Sequence, residues 1–332
     1  MSLSTLPYEN PGRAALHLAR AASLAPSPHN SQPWFFVEEG HDHGFEVHAD
    51  TGRRVVLTDP GGRETVIACG AALFNVRIAV RHLGFRPAVD LLPEPGNPAF
   101  LARVGYAAHA PATPDETALA GAITLRHTHR GPFGPEPVPD ALLDELYDHA
   151  RAEGADLQII DEPGKLRLLT DLVRTAERLH RADPRHAAEL ARYVGPYGVP
   201  VEACRYHPDC TVLAGRDYLG VSRRFPGPPR RWIARSGVVA VLSTAHDGRP
   251  DWLRAGQALE RVLLHAAAHR VMAAFHTQPL ELPSLRADLR THLTGGRHPQ
   301  VILRLGRPAQ TWCTPRRPPA ASLVCEREPV RW

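Results

Sequence analysis

Apolar positions along the chain recur with two spacings, one near the 3.6-residue helical turn and one near the two-residue pleat of a strand. Helical spacing from Pro11 to Leu24 leads through a polar, proline-rich stretch into the apolar run Phe35 to Val37. After the turn His41-Asp42-His43-Gly44, Phe45 to His48 completes a predicted hairpin. Arg63 to Leu83 predicts a largely apolar helix that stops at Gly84. Strands are predicted at Ala88 to Leu92 and Phe100 to Tyr106, separated by the turn Pro93 to Pro98. Pro111-Ala112-Thr113-Pro114-Asp115 marks a boundary, dividing the chain into residues 1–112 and 113–332. In the second unit helices are predicted at Thr117 to Leu125, Pro139 to Glu153, Pro163 to His180 and Pro184 to Tyr193, with a strand at Leu157 to Ile160. From Gly195 to Arg231 no period is sustained, and a loop of that length is uncommon in a compact domain unless it serves a function. Val238 to Ser243 reads as a buried strand, Trp252 to Phe275 as one long apolar helix and Pro299 to Leu305 as a strand, with regular structure fading after Gly306. The fold class is α+β, in two units of similar element order.

Length and composition limit what such a chain does. At 332 residues and 43% hydrophobic content it buries a large core. The net charge is only +4, and although every basic residue except Lys165 is arginine, no basic run is interleaved with aromatics, which argues against nucleic-acid binding. No apolar stretch reaches the ~18 residues of a membrane span, and the first ten residues lack a basic-then-apolar signal, so a cytoplasmic protein is expected. Cysteines at 69, 204, 210, 313 and 325 form no disulfide framework.

Three stretches carry candidate chemistry. In Ala25 to Trp34, three prolines stiffen a segment rich in hydrogen-bonding side chains, so that the carboxamides of Asn30 and Gln32 are held at one geometry suited to the edge of a heteroaromatic ring. The same residues also suit a helix stop and turn with nothing bound. In Arg126-His127-Thr128-His129-Arg130, alternate residues share one side of an extended segment, and guanidinium matches phosphate; a solvated basic knot is the alternative. Pro279-Leu280-Glu281 reads alone as a proline turn. Metal ligation is weighed and not adopted at His41-x-His43, which sits in a turn without a third ligand nearby, at Cys204-x-x-His207-x-x-Cys210, which lacks a fourth group and is constrained by Pro208, and at His127-x-His129, where the phosphate reading of the flanking arginines is preferred. Neither a Gly-x-Ser-x-Gly nucleophile motif nor a Gly-x-Gly-x-x-Gly dinucleotide fingerprint is present.

Ser27-x-x-Asn30-x-Gln32-Pro33-Trp34 resembles the flavin-contacting segment of the nitroreductase superfamily, and the wider chain resembles its Acg-like branch of NAD(P)H nitroreductases. Further stretches with that look are Arg126 to Phe133, Asp251 to Leu259, Gln278 to Glu281 and Pro299 to Gly306. The resemblance implies two fused nitroreductase-like halves forming a pseudo-dimer, with one composite FMN site in a monomeric chain, because each half keeps the segment that the other lacks. It implies that Pro26, Ser27, Pro28, His29 and Asn30 meet the flavin while Gln32 and Trp34 brace their loop. Arg126, His127 and Thr128 lie at the phosphate and ribityl side, and Arg130 at the ring edge where a cation stabilises reduced flavin. Pro279, Leu280 and Glu281 lie near the hydride-accepting nitrogen, and Arg316 and Arg317 at the phosphate. NADPH or NADH is implied as a transient reductant and a small aromatic or quinone-type molecule as acceptor, with no catalytic side chain because the flavin carries the chemistry. The alternative within the branch is a protein that sequesters FMN beneath a lid formed by residues 195–231.

Overall fold

The computed structural model describes residues 12–40, 43–225, 237–312 and 314–325. His41, residues 226–231 of the irregular segment and Cys313 lie outside the described residues. Helix α1 (Arg13–Ser23) buries Leu18, Ala19 and Ala22 against α2 (Arg63–His82), and strands β1 (Trp34–Glu39) and β2 (Gly44–Ala49) form the expected antiparallel hairpin. Strands β3 (Phe85–Leu91) and β4 (Phe100–His109) extend that sheet. The Pro111–Asp115 stretch is a helix start, in which Thr113 and Glu116 form a capping box for α3 (Pro114–Ala122) and Pro114 occupies the first turn.

The second unit contains α4 (Asp140–Ala152), β5 (Asp156–Ile159), α5 (Pro163–Ala182), α6 (Pro184–Arg192), a short α7 (Val221–Arg224), β6 (Val238–Thr244), α8 (Arg249–Ala268), β7 (Met272–Phe275), α9 (Pro283–His292) and β8 (His298–Gly306). Its sheet runs β5-β6-β8-β7, all antiparallel. The stretch expected as one helix from Trp252 to Phe275 is therefore a helix and a strand. Arg270 breaks it by adopting a left-handed φ of 60° without a glycine or proline, and Met272-Ala273-Ala274-Phe275 is too short for periodicity to tell strand from helix. Regular structure also continues beyond Gly306: β9 (Leu323–Cys325) pairs in parallel with β1, giving the first sheet the order β3-β4-β2-β1-β9.

The two long apolar helices, α2 and α8, cross between the sheets. Gly70 and Gly256 meet at the crossing, where a Cβ on Gly256 would stand 2.0 Å from the Ile67 carbonyl oxygen and one on Gly70 2.3 Å from that of Leu253. Only hydrogen in place of a side chain permits that approach. Ile67, Ala68 and Leu259, close to the crossing, form part of the floor of the main cavity.

Candidate functional site

The segment between α1 and β1 is a strained, buried turn. His29, Asn30 and Gln32 have φ of 51°, 59° and 52°, a left-handed conformation that costs a non-glycine residue roughly 1 kcal/mol or more. Hydrogen bonds hold it there. Asn30 Nδ2 donates to the carbonyls of Tyr197 (2.9 Å), Gly198 (3.0 Å) and Pro315 (2.8 Å), and Gln32 Nε2 donates to Tyr197 O (3.0 Å). The Gln32 side-chain oxygen accepts from the backbone amide of Arg317 at 2.9 Å. The carboxamides thus tie down the irregular segment and the C-terminal tail. His29 Nδ1 lies 2.9 Å from the Tyr218 hydroxyl.

Arg126 to Arg130 runs along the edge strand β7, where Thr128 bridges Ala273 and the His129 amide donates to Ala273 O at 2.9 Å. Thr128 and Arg130 reach the cavity. Arg126 turns into the protein, with Nη2 on Leu24 O (2.9 Å) and Nε 3.6 Å from Glu260, whose carboxyl is pushed up to about 7 by burial against the pull of Arg126. Arg316 donates to the carbonyls of Ser23, Leu24 and Ala25 (2.9–3.2 Å), and Arg317 to Ser31 O (2.9 Å). These three guanidiniums therefore bind backbone around the turn.

The cavity itself lies between the halves. Pro26 to His29, Glu64, Ile67 and Ala68 come from the first half, and Thr128 to Arg130, Leu259, Ala274 to Thr277, Gln300 and Arg304 from the second. The irregular segment supplies a further wall from Ala203 to Tyr218. Arg216 from that wall forms a buried ion pair with Glu281; burial opposes its charge, and the carboxylate more than offsets this, raising its pKa. Burial lowers the pKa of His29, His129 and His276, the last to about 3. His29 Nε2, His129 Nδ1 and His276 Nε2 are buried without a hydrogen-bond partner among the described residues. His180, His186 and Glu281 also converge, but the two imidazoles stack 4.1 Å apart at 12°, so their in-plane lone pairs run nearly parallel instead of meeting at one ion.

No family model matches the chain. A Mycobacterium tuberculosis protein with the provisional name NAD(P)H nitroreductase acg is 31% identical over 90% of this chain and 91% of its own length. A second from the same organism, provisionally the NAD(P)H nitroreductase Rv3131, is 30% identical over 86% of this chain and 82% of its own. The chain belongs to the Acg-like branch of the nitroreductase superfamily. Among solved structures, the FMN- and NADPH-dependent nitroreductase NfnB of a Sphigopyxis strain superposes with a TM-score of 0.38 at 17% identity, over 60% of this chain and 94% of that one.

Against the Acg-like motif set, Pro26, Ser27, Pro28, His29, Thr128 and Arg130 lie on the cavity wall, whereas Asn30, Gln32, Arg126, Arg316 and Arg317 stand behind it as braces. His127 bonds Leu125 O from outside, and Pro279 to Glu281 form a 3-10 turn with Glu281 directed to Arg216. Cationic Arg130 and Arg304, unpaired buried ring nitrogens and contributions from both halves fit an anionic, planar aromatic cofactor. The sequence reading missed Glu64, His276 and Arg304 as cavity residues, whereas Arg216 belongs to the segment expected to cover the site. Arg304 had a signal, a lone cation amid the apolar residues of a buried strand, and Glu64 had none, since a glutamate in a first helical turn is ordinary.

Proposed function

We propose that this chain is an FMN-dependent oxidoreductase that passes hydride from NADPH or NADH, by way of one flavin, to a small aromatic or quinone-type acceptor. The observation that carries the reading is the convergence of Pro26 to His29 from one half and Thr128 to Arg130 from the other on one cation-lined cavity in an Acg-like chain. FMN, when bound, supplies the hydride chemistry. The chain's part is to hold it: Arg130 at an anionic edge, Ser27 and Thr128 as hydroxyl partners, Arg304 as a further positive charge on the wall and Ile67 and Leu259 as apolar floor. The halves, 1–112 and 113–332, then act as an intramolecular pseudo-dimer in a monomer.

A second reading is favoured by one feature. The segment from Gly195 to Phe225 is fastened over the cavity by Asn30, by Gln32, by the His29–Tyr218 contact and by the Arg216–Glu281 pair, as suits a lid over sequestered FMN. Flavin content and anaerobic reduction decide between them. About one FMN per chain, bleached promptly by NADPH, is expected of the enzyme. Flavin that stays oxidised indicates sequestration, and no flavin after reconstitution refutes both.

A further inference from the structure

We propose that Glu64 is the acid of this site, giving the proton that accompanies hydride to the acceptor. The inference rests on the flavin reading above. Glu64 stands in the first turn of α2, where the Asp59 carboxylate caps the helix by accepting from the amides of Glu64 (3.1 Å) and Thr65 (2.8 Å), so its backbone is fixed. Glu64 lines the cavity although the residue is only 8% exposed. Oε1 accepts from Arg63 Nη2 at 3.0 Å, and Arg63 is itself held by Gln300 O at 2.8 Å. The other charged groups facing it are Asp59 from the preceding loop, Arg216 and Glu281 from the neighbouring ion pair and Arg286 from α9. Burial pushes the carboxyl up to about 6, with Arg63 pulling the other way.

The histidines, the two thiols and Tyr218 on the wall are poorly suited to the task. His29, His129 and His276 are held neutral by burial, so their acid forms are scarce. Burial raises the Cys204 thiol to about 11 and also raises the Cys210 thiol and the Tyr218 hydroxyl, so these release protons reluctantly. Both His207 nitrogens are engaged, by Phe225 O and by the Asp209 amide. A general acid works best when its pKa is near the working pH.

The step balances for a quinone. The two electrons and one hydrogen of hydride go to one quinone oxygen, and the Glu64 O–H proton passes to the other, leaving its bonding pair on the carboxylate. The product is the hydroquinone. Arg63 steadies the Glu64 carboxylate until solvent restores its proton.

The test uses FMN-loaded protein, reduced anaerobically with dithionite and mixed with 1,4-benzoquinone in a stopped-flow cell. For wild type the reoxidation rate should fall about tenfold per pH unit above about 6. Glu64→Gln should be about a hundredfold slower at pH 6 and flat in pH, and Glu64→Asp should regain the pH limb. A readout independent of turnover is the wild-type-minus-Glu64→Gln infrared difference spectrum at unchanged flavin content, which should hold a carboxyl component that titrates near pH 6, apart from the Glu260 carboxyl. A pH-independent wild-type rate overturns the assignment even if Glu64→Gln fails to fold, as does a Glu64→Gln protein with the wild-type rate and profile. Protein that binds no flavin overturns the cofactor reading together with this one, whereas flavin retained without these pH effects overturns only the role of Glu64.

Discussion

Gly256→Ala tests whether the crossing of α2 and α8 organises the molecule. The added Cβ would lie 2.0 Å from Ile67 O, 2.8 Å from Gly70 Cα and 2.9 Å from Ala71 N, where real Cβ atoms keep beyond about 3.0 Å. Every one of these neighbours is backbone, so no rotamer change relieves the clash. The helices must part by about 1 Å at this point, the difference between 3.0 and 2.0 Å. Overpacking costs typically 1–3 kcal/mol, and a gap of that width forfeits a quarter to a half of the dispersion energy between the facing surfaces. That dispersion loss is about 2 kcal/mol at 0.1–0.2 kcal/mol per contact, and alanine recovers about 1 kcal/mol of helix propensity, so with the overpacking cost the net loss is about 2–4 kcal/mol, a roughly 30- to 1,000-fold fall in the folded-to-unfolded ratio. Urea unfolding followed by far-ultraviolet circular dichroism reads this as a lowered midpoint at constant slope. Gly121→Ala is the control, because Gly121 is an exposed residue of α3 with nothing within 4 Å of its ideal Cβ, and it should be neutral or gain up to about 1 kcal/mol. The reasoning is refuted if Gly256→Ala lies within about 0.5 kcal/mol of wild type while the control behaves as stated.

Arg130→Ala should weaken FMN binding about tenfold with little change in the unfolding midpoint, whereas Arg126→Ala should destabilise the fold by about 3–5 kcal/mol by stranding Glu260; FMN titration and urea melts of both variants check the split, and equal effects would contradict it. Asn30→Ala removes the donor to Tyr197, Gly198 and Pro315 and should speed amide exchange across residues 195–220 and accelerate FMN release; unchanged protection there would show that the fastening lies elsewhere. His276, lowered to about 3 by burial, contributes stability that is full above its unfolded value of about 6.5 and drains as pH falls toward 3, at up to about 1.4 kcal/mol per unit. The loss in urea midpoint between pH 7 and 5 should therefore shrink in His276→Gln, and an identical loss in both proteins would rule the histidine out.

Much of the architecture was legible because a helix or strand that buries one face declares its period. Hairpin β1–β2, helices α1, α2, α4, α5 and α6, and strands β6 and β8 all follow from spacing that depends on nearby residues. What escaped was decided by distant partners. Leu323 to Cys325 becomes a strand because Phe36 offers an open sheet edge, and Arg270 turns left-handed without glycine because β7 must lie beside β8. The site divides in the same way. The residue types of Pro26 to Gln32 and Arg126 to Arg130 announce polar recognition, but the sequence could not say which guanidinium faces the cavity. Arg126 is drawn inward by Glu260, whereas Arg130, four residues on, lies on the cavity wall beside Tyr218.

The same bracing bears on how a covered site turns over. Nicotinamide and flavin must approach face to face, so the wall from Gly195 to Phe225 has to move if NADPH is to act. Motion of that wall breaks the Asn30 and Gln32 bonds to Tyr197 and Gly198, the Tyr218–His29 contact and the Arg216–Glu281 pair. At a net value of roughly 1 kcal/mol each, these contacts together make opening cost about 4–6 kcal/mol, so that about one molecule in a thousand to one in twenty thousand stands open. Such a fraction still supports catalysis, because lid movements recur on microsecond-to-millisecond timescales, but it lowers the apparent affinity for the nucleotide by the same factor. On the proposed reading, the balance between turnover and storage then depends on how strongly Asn30 and Gln32 hold the wall, which puts that balance in the turn before β1 and not in the groups that line the cavity.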